Sequence, residues 1–196
     1  MIPAHALPGD FFLVSFDGEN PNISNLNRWF THGGLIRIGQ WANGDGFAQY
    51  EHAGIYVGNI GANGKIAYDS PKIIEAMNTG TGISDAHRYD GNDTLWSTGL
   101  IPLSNTERRA IVSAAFGYVG TPYSWPDYAA LAAYRLKLGL LVPKLKDYVA
   151  STKHMICSQV VDQCYEDANV HLFDDGRWPG YVTPGSLRNL LYSKMK

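Results

Sequence analysis

Two cysteines and six histidines carry the thiol and imidazole chemistry open to this chain of 196 residues. Both cysteines, Cys157 and Cys164, fall in the stretch MICSQVVDQCYEDA, whose pattern predicts a helix over Met155–Ala168. Seven residues along a helix is about 10 Å of rise, beyond the roughly 7 Å between Cα atoms that a disulfide tolerates, so the two do not bridge. A free thiol is a weak nucleophile until a cation, an imidazole or a helix N-terminus favours its thiolate. Cys157 lies in the first turn of this helix, where unpaired N–H groups and the positive end of the dipole stabilise S⁻. Cys164, two turns further on, lacks that help. The plainer reading of both is as small buried hydrophobes.

A base is expected from His52, which opens the run His-Ala-Gly-Ile-Tyr-Val-Gly, with Ala53 and Gly54 small enough to let another element approach the ring. Alone, His52 reads equally well as a structural histidine. A cysteine at a helix start and a histidine at a strand start, far apart in sequence, are what a thiolate–imidazolium couple uses. His5 and His87 lie in polar or terminal contexts, His32 in a loop and His171 beyond the helix. His154, Cys157, Cys164 and His171 include an H-x-x-C step, but they lack the paired close ligands of a structural zinc site, so no metal and no cofactor is expected. A third group should orient the imidazole. Glu75, a lone carboxylate in Ile73-Ile-Glu-Ala76, is the first choice, against a plain role facing water. Asp69 and Ser70, nearer to His52 along the chain, are the alternatives.

These residues need strands and helices to hold them. Short apolar runs predict strands at Phe11–Phe16 after Pro8-Gly9-Asp10, at His52–Val57, at Lys65–Tyr68 after a Gly/Asn turn over Gly61–Gly64, at Lys72–Met77 and at Leu95–Leu103. The second half changes period. Ser104-Asn-Thr-Glu107 has the spacing of a capping box, and Ile111, Ala114, Ala115 and Tyr118 follow at helical intervals up to Gly120. Pro126 opens a further helix running to Val142. Strands first and helices afterwards predict an α+β class: one domain over 1–196, an antiparallel sheet of four to six strands, and helices on one face.

Bulk properties narrow the field. A formal net charge of -2 gives no basic field for nucleic acid, which is not an expected partner. The N-terminus has no basic region followed by an apolar core, and no apolar stretch is long enough to span a bilayer. The expectation is a cytoplasmic protein, or one released without a secretory leader, with no transmembrane segment.

Several blocks resemble the NlpC-type papain-like cysteine peptidases in their circularly permuted order, shared with lecithin:retinol acyltransferase-like proteins. Leu7-Pro-Gly-Asp-Phe-Phe12 is similar to that family's Pro-Gly-Asp strand, and His52 to Gly58 to its histidine strand. Ile74-Glu-Ala76 matches the piece supplying the third polar group, Gly120-Thr-Pro-Tyr-Ser-Trp125 the segment before the nucleophile, Ile156 to Val161 the nucleophile helix, and Val182 to Leu187 the C-terminal segment. The resemblance covers nearly the whole chain, less clearly over 17–49 and 126–153. It implies a permuted papain-like fold and a hydrolase acting on a peptide or acyl substrate through Cys157, His52 and Glu75. It further implies that Tyr123 and Trp125 bind substrate, Tyr123 shaping the pocket or polarising the carbonyl, beside its plainer role as a core aromatic. An amide is the implied bond, in a peptide, an isopeptide or a peptidoglycan stem peptide. Acyl-lipid hydrolysis or transfer, and a silent binding module, are the alternatives. One departure is that the Asn59–Gly64 turn puts Glu75 further from His52 than the pattern leads one to expect. The apolar stretch 126–150 is expected to border the cleft, as a lid or as a helix buried on both sides.

Overall fold

The computed structural model describes residues 1–15, 50–123, 155–174 and 182–196. These form five strands and three α-helices, an α+β arrangement: β1 (Phe11–Ser15), β2 (His52–Gly58), β3 (Lys72–Met77), β4 (Gly80–Asp85), a 3₁₀ turn (Ala86–Tyr89), β5 (Asp93–Trp96), α1 (Asn105–Gly117), α2 (Cys157–Asp167) and α3 (Pro184–Lys194). The strands make one antiparallel sheet in the order β4-β3-β2-β1-β5. Central β1 and β2 are buried on both faces, which is why they read as continuous apolar runs and not as alternating ones.

One face carries Phe11, Leu13, Ala53, Ile55, Val57, Ile74 and Ala76, packed with Ile111, Val112 and Ala115 of α1, Val160, Val161, Cys164 and Tyr165 of α2, and Leu187 and Leu191 of α3. The described helices therefore share one face of the sheet, as expected. The opposite face holds a smaller cluster of Phe12, Val14, Tyr56, Ile73, Ala86 and Tyr89, joined by Trp96. Strand alternation puts His52 with Tyr56, and Glu75 with Ile73, on this second face.

The Pro8-Gly9-Asp10 block locks β1 to α1. Gly9 has φ +95°, and a Cβ there would lie 3.1 Å from Arg108 Cα, so the close approach requires glycine. Buried Asp10 accepts from Arg108 Nη1 (2.8 Å), Thr98 Oγ1 (2.9 Å) and the Leu7 amide (2.9 Å). Tyr165 of α2 donates to Gly9 O at 2.7 Å and meets Phe11 edge-on, which ties α2 to the same corner.

Two strand expectations need correction. Lys65–Tyr68 is not a strand: it folds back on Asn59–Gly61 through one isolated Ile60–Ile66 bridge and a few turn hydrogen bonds, and Ile66 is 85% exposed, so the turn has no apolar face to bury. β2 pairs instead with β3, in the register Ile55 to Ile74. The strand expected at Leu95–Leu103 begins and ends early, at Asp93–Trp96, because Thr98 and Gly99 (φ +74°) turn the chain. Two elements were not expected. β4, GTGISD, joins β3 with Met77 opposite Gly80, and α3 starts on the Thr183 cap with Pro184 in its first turn. α1 follows its capping box, while the helix expected over 126–142 lies outside the described residues.

Candidate active site

The site is assembled where β2, β3 and the start of α2 meet. The Ile55–Ile74 pairing, continued by one residue, sets Glu75 opposite Gly54, so Glu75 and His52 are diagonal neighbours on one face. Gly54 has no side chain to stand between them, and a Cβ there would lie 2.8 Å from the Phe12 ring and 3.1 Å from Ile74 O. The room left by Gly54 is thus filled by Phe12, which walls the site.

His52 Nε2 lies 2.7 Å from Glu75 Oε2. The imidazole also hydrogen-bonds Cys157, and with Nε2 engaged by the carboxylate, Nδ1 is left for the sulfur. All three groups are buried: Cys157 and Glu75 are 1% exposed and His52 is 6%. Burial on its own favours the neutral imidazole. Hydrogen bonds to Cys157 and Glu75, together with their negative charge, outweigh it and raise the pKa of His52 from 6.5 to about 10. Burial likewise disfavours the Glu75 carboxylate, but the His52 hydrogen bond and charge, then hydrogen bonds from Ser84 and Tyr89, bring its pKa down to about 2. Arg88 Nη1 donates to Glu75 Oε1 at 2.7 Å and Tyr89 OH to Oε2 at 2.7 Å.

The start of α2 is unlike the other described helix starts. Ser104 caps α1 and Thr183 caps α3 through their side chains, whereas the N-cap of α2 is Ile156, which makes no side-chain cap bond. Apolar N-caps are disfavoured because the first amides go unanswered. Here Cys157 is the first helical residue. The Gln159 side chain accepts from the Ile156 amide (2.9 Å) and Ser158 Oγ donates to Val182 O (2.7 Å). Cys164 lies in the helix-side core, where burial, and then the charge of Asp167, push its thiol pKa far up.

Of the residues expected to do chemistry, Cys157, His52 and Glu75 come together. Asp69, the alternative third residue, is exposed, and Ser70 bonds Asp85 (2.6 Å) and Lys72 (2.8 Å) instead. Tyr123 bridges to Met155 through the backbone and packs on Ile156, which brings it beside the start of α2; Trp125 lies outside the described residues. His87 pairs with Asp90 and His171 with Glu166, both at the surface, while His32 and His154 lie outside the described residues. Among the described residues no group of three or more His, Cys, Asp or Glu could hold a metal ion. Tyr89, Arg88 and Ser84, which surround Glu75, gave no signal in the sequence, because the polar stretch SDAHRYD has neither period nor motif. No protein-family model matches the chain, and no curated protein matches it significantly.

Proposed function

We propose that the chain is a cysteine hydrolase of the permuted papain-like kind, with Cys157 as nucleophile, His52 as base and Glu75 as the group that orients the imidazole. The observation that carries this reading is the buried 2.7 Å contact between His52 Nε2 and Glu75 Oε2, on an imidazole that also hydrogen-bonds the thiol of the first residue of α2. A structural histidine needs one such partner; a base needs its ring fixed so that the other nitrogen faces the nucleophile. The order of elements, with the histidine strand before the cysteine helix, is that of permuted relatives and supports the same reading.

Proton transfer from Sγ to His52 gives a thiolate–imidazolium pair, which burial and Glu75 sustain. The thiolate attacks an acyl carbon, and the Cys157 amide, at the positive end of α2, faces the developing oxyanion. The imidazolium protonates the leaving amine as the C–N bond breaks. A water molecule then attacks the thioester, His52 takes its proton, and the carboxylic acid leaves as Sγ recovers as thiolate. The bond cleaved is an amide, in a peptide, an isopeptide or a peptidoglycan stem peptide. No helix among the described residues is long and apolar enough to cross a membrane.

The test is a mass-spectrometric screen of purified muropeptides, peptides and phospholipids with wild type and Cys157→Ala. The reading requires a Cys157-dependent amide product. Cleavage of phospholipid alone moves the assignment to acyl-lipid chemistry, and no Cys157-dependent product in any class makes the protein a silent binding module.

A further inference from the structure

Glu75 has no freedom left to turn. Its Oε2 accepts two hydrogen bonds from separate elements, His52 Nε2 of β2 and Tyr89 OH of the 3₁₀ turn, each 2.7 Å, and its Oε1 takes Arg88 Nη1. Tyr89 touches both ends of that contact, for its ring lies 5.9 Å from the His52 ring while its hydroxyl is bonded to the carboxylate. The ring is held in turn by Phe12 at 5.8 Å and by the Arg88 guanidinium at 5.2 Å, and the residue is 7% exposed. The 3₁₀ turn that carries it is anchored by Asp85, which accepts from the His87 amide. Tyrosine is thus built into the site as a donor, with burial and the Glu75 charge keeping its hydroxyl protonated.

Resting on the proposed catalytic reading, we infer that Tyr89 is a positioning residue: its hydroxyl fixes the Glu75 oxygen that holds His52, and so sets the angle at which Nδ1 meets Cys157. Among the described residues, the charged and titratable groups that act on Glu75 include His52 from β2 and Arg88 and Tyr89 from the 3₁₀ turn, with the Ser84 hydroxyl from β4 and Cys157 beyond the imidazole. Two effects of losing the hydroxyl have opposite signs. Electrostatically, Glu75 keeps more negative charge for His52, and the imidazolium gains. Geometrically, the carboxylate can swing off Nε2, and the imidazolium loses. A positioning role requires the second to win.

The experiment is an NMR titration of the His52 ring in the full chain, its signal assigned by its absence in His52→Gln, beside the rate of Cys157 alkylation by iodoacetamide at neutral pH. Tyr89→Phe keeps the ring that packs on Phe12. The expected result is a His52 proton affinity about tenfold weaker than in wild type, with a parallel drop of about tenfold in alkylation rate, the worth of one hydrogen bond to a charged group. In a Glu75→Gln background the same substitution should change neither reading, because Tyr89 acts through the carboxylate. A His52 midpoint that is unchanged or rises, or an equal loss in the Glu75→Gln background, overturns the inference. Neither readout needs a substrate, so the two readings fail separately: a wild-type Cys157 no faster than an ordinary thiol removes the catalytic proposal, whereas a fast wild type matched by Tyr89→Phe removes only the role of Tyr89.

Discussion

Cys157 and Cys164 sit on the same helix, are equally hidden at 1% and 0% exposure and join the same helix-side core, yet only Cys157 also meets polar partners from the other face of the sheet. Cys157 meets an imidazole backed by a buried carboxylate at a helix start whose N-cap, Ile156, makes no side-chain cap bond. Cys164, two turns on, meets the apolar side chains of the sheet and α1, and burial holds its proton in place. Exposure therefore says nothing about which thiol reacts. What separates them is the imidazole hydrogen bond and the place along α2, Cys157 being its first residue and Cys164 lying in its interior.

The largest expected effect breaks this contrast. Cys157→Ala should abolish turnover of whichever substrate the screen yields, a loss of about 10⁴-fold or more, while Cys164→Ala should leave most of it. Comparable losses in two folded variants would mean that the thiol chemistry is not localised at the helix start. Next, Glu75→Gln should lower kcat by about 10- to 100-fold with little change in KM, since it removes a hydrogen bond to a charged group that acts after substrate is bound. It should also shift the pH profile. In wild type His52 stays protonated until its pKa of about 10, so the alkaline limb lies far above the ordinary 6.5, and losing the Glu75 charge must bring it down. Asp69→Asn should do neither, because Asp69 is exposed.

A third effect is on stability. Glu75 has its pKa depressed from 4.5 to about 2, so its contribution is fully present above pH 4.5 and is lost as the pH falls toward 2. Melting temperatures measured from pH 6 down to pH 2 should fall steeply in wild type and less steeply in Glu75→Gln. Parallel slopes would show that the carboxylate is not held as an ion in the folded chain. The smallest effect is expected at Arg88, which is 40% exposed: water can replace much of its contact, and Arg88→Gln should change kcat by less than about fivefold.

Much of the sheet was legible in the sequence. Continuous apolar runs mark β1, β2 and β3, and a capping box marks α1, because burial and capping leave local signatures. β4 left none: an edge strand with two glycines reads as a turn until β3 is there to pair with it. The false strand at Lys65–Tyr68 had the right residue types and lacked a surface to cover. That Cys157 opens a helix and His52 opens a strand was legible, and the structure brings the two together. The third residue was not settled by distance along the chain, which favoured Asp69. Glu75 is 23 residues from His52, and the β2–β3 register, which no local pattern reveals, brings the two together. Tyr89 and Arg88 were invisible for the same reason, since their role exists only once β3 has placed a carboxylate beneath the 3₁₀ turn.

The central claim is that position on α2, and the His52–Glu75 pair set there, activates one of two hidden thiols. The most direct measurement is the iodoacetamide alkylation rate of each cysteine, site-resolved by mass spectrometry, from pH 5 to pH 10 in wild type and His52→Gln. The account predicts that Cys157 reacts much faster than Cys164 at neutral pH, with a rate that stays high well below the ordinary thiol range, and that His52→Gln removes the advantage. Two thiols reacting at similar rates that climb together only through the ordinary thiol range, in both proteins, would contradict it.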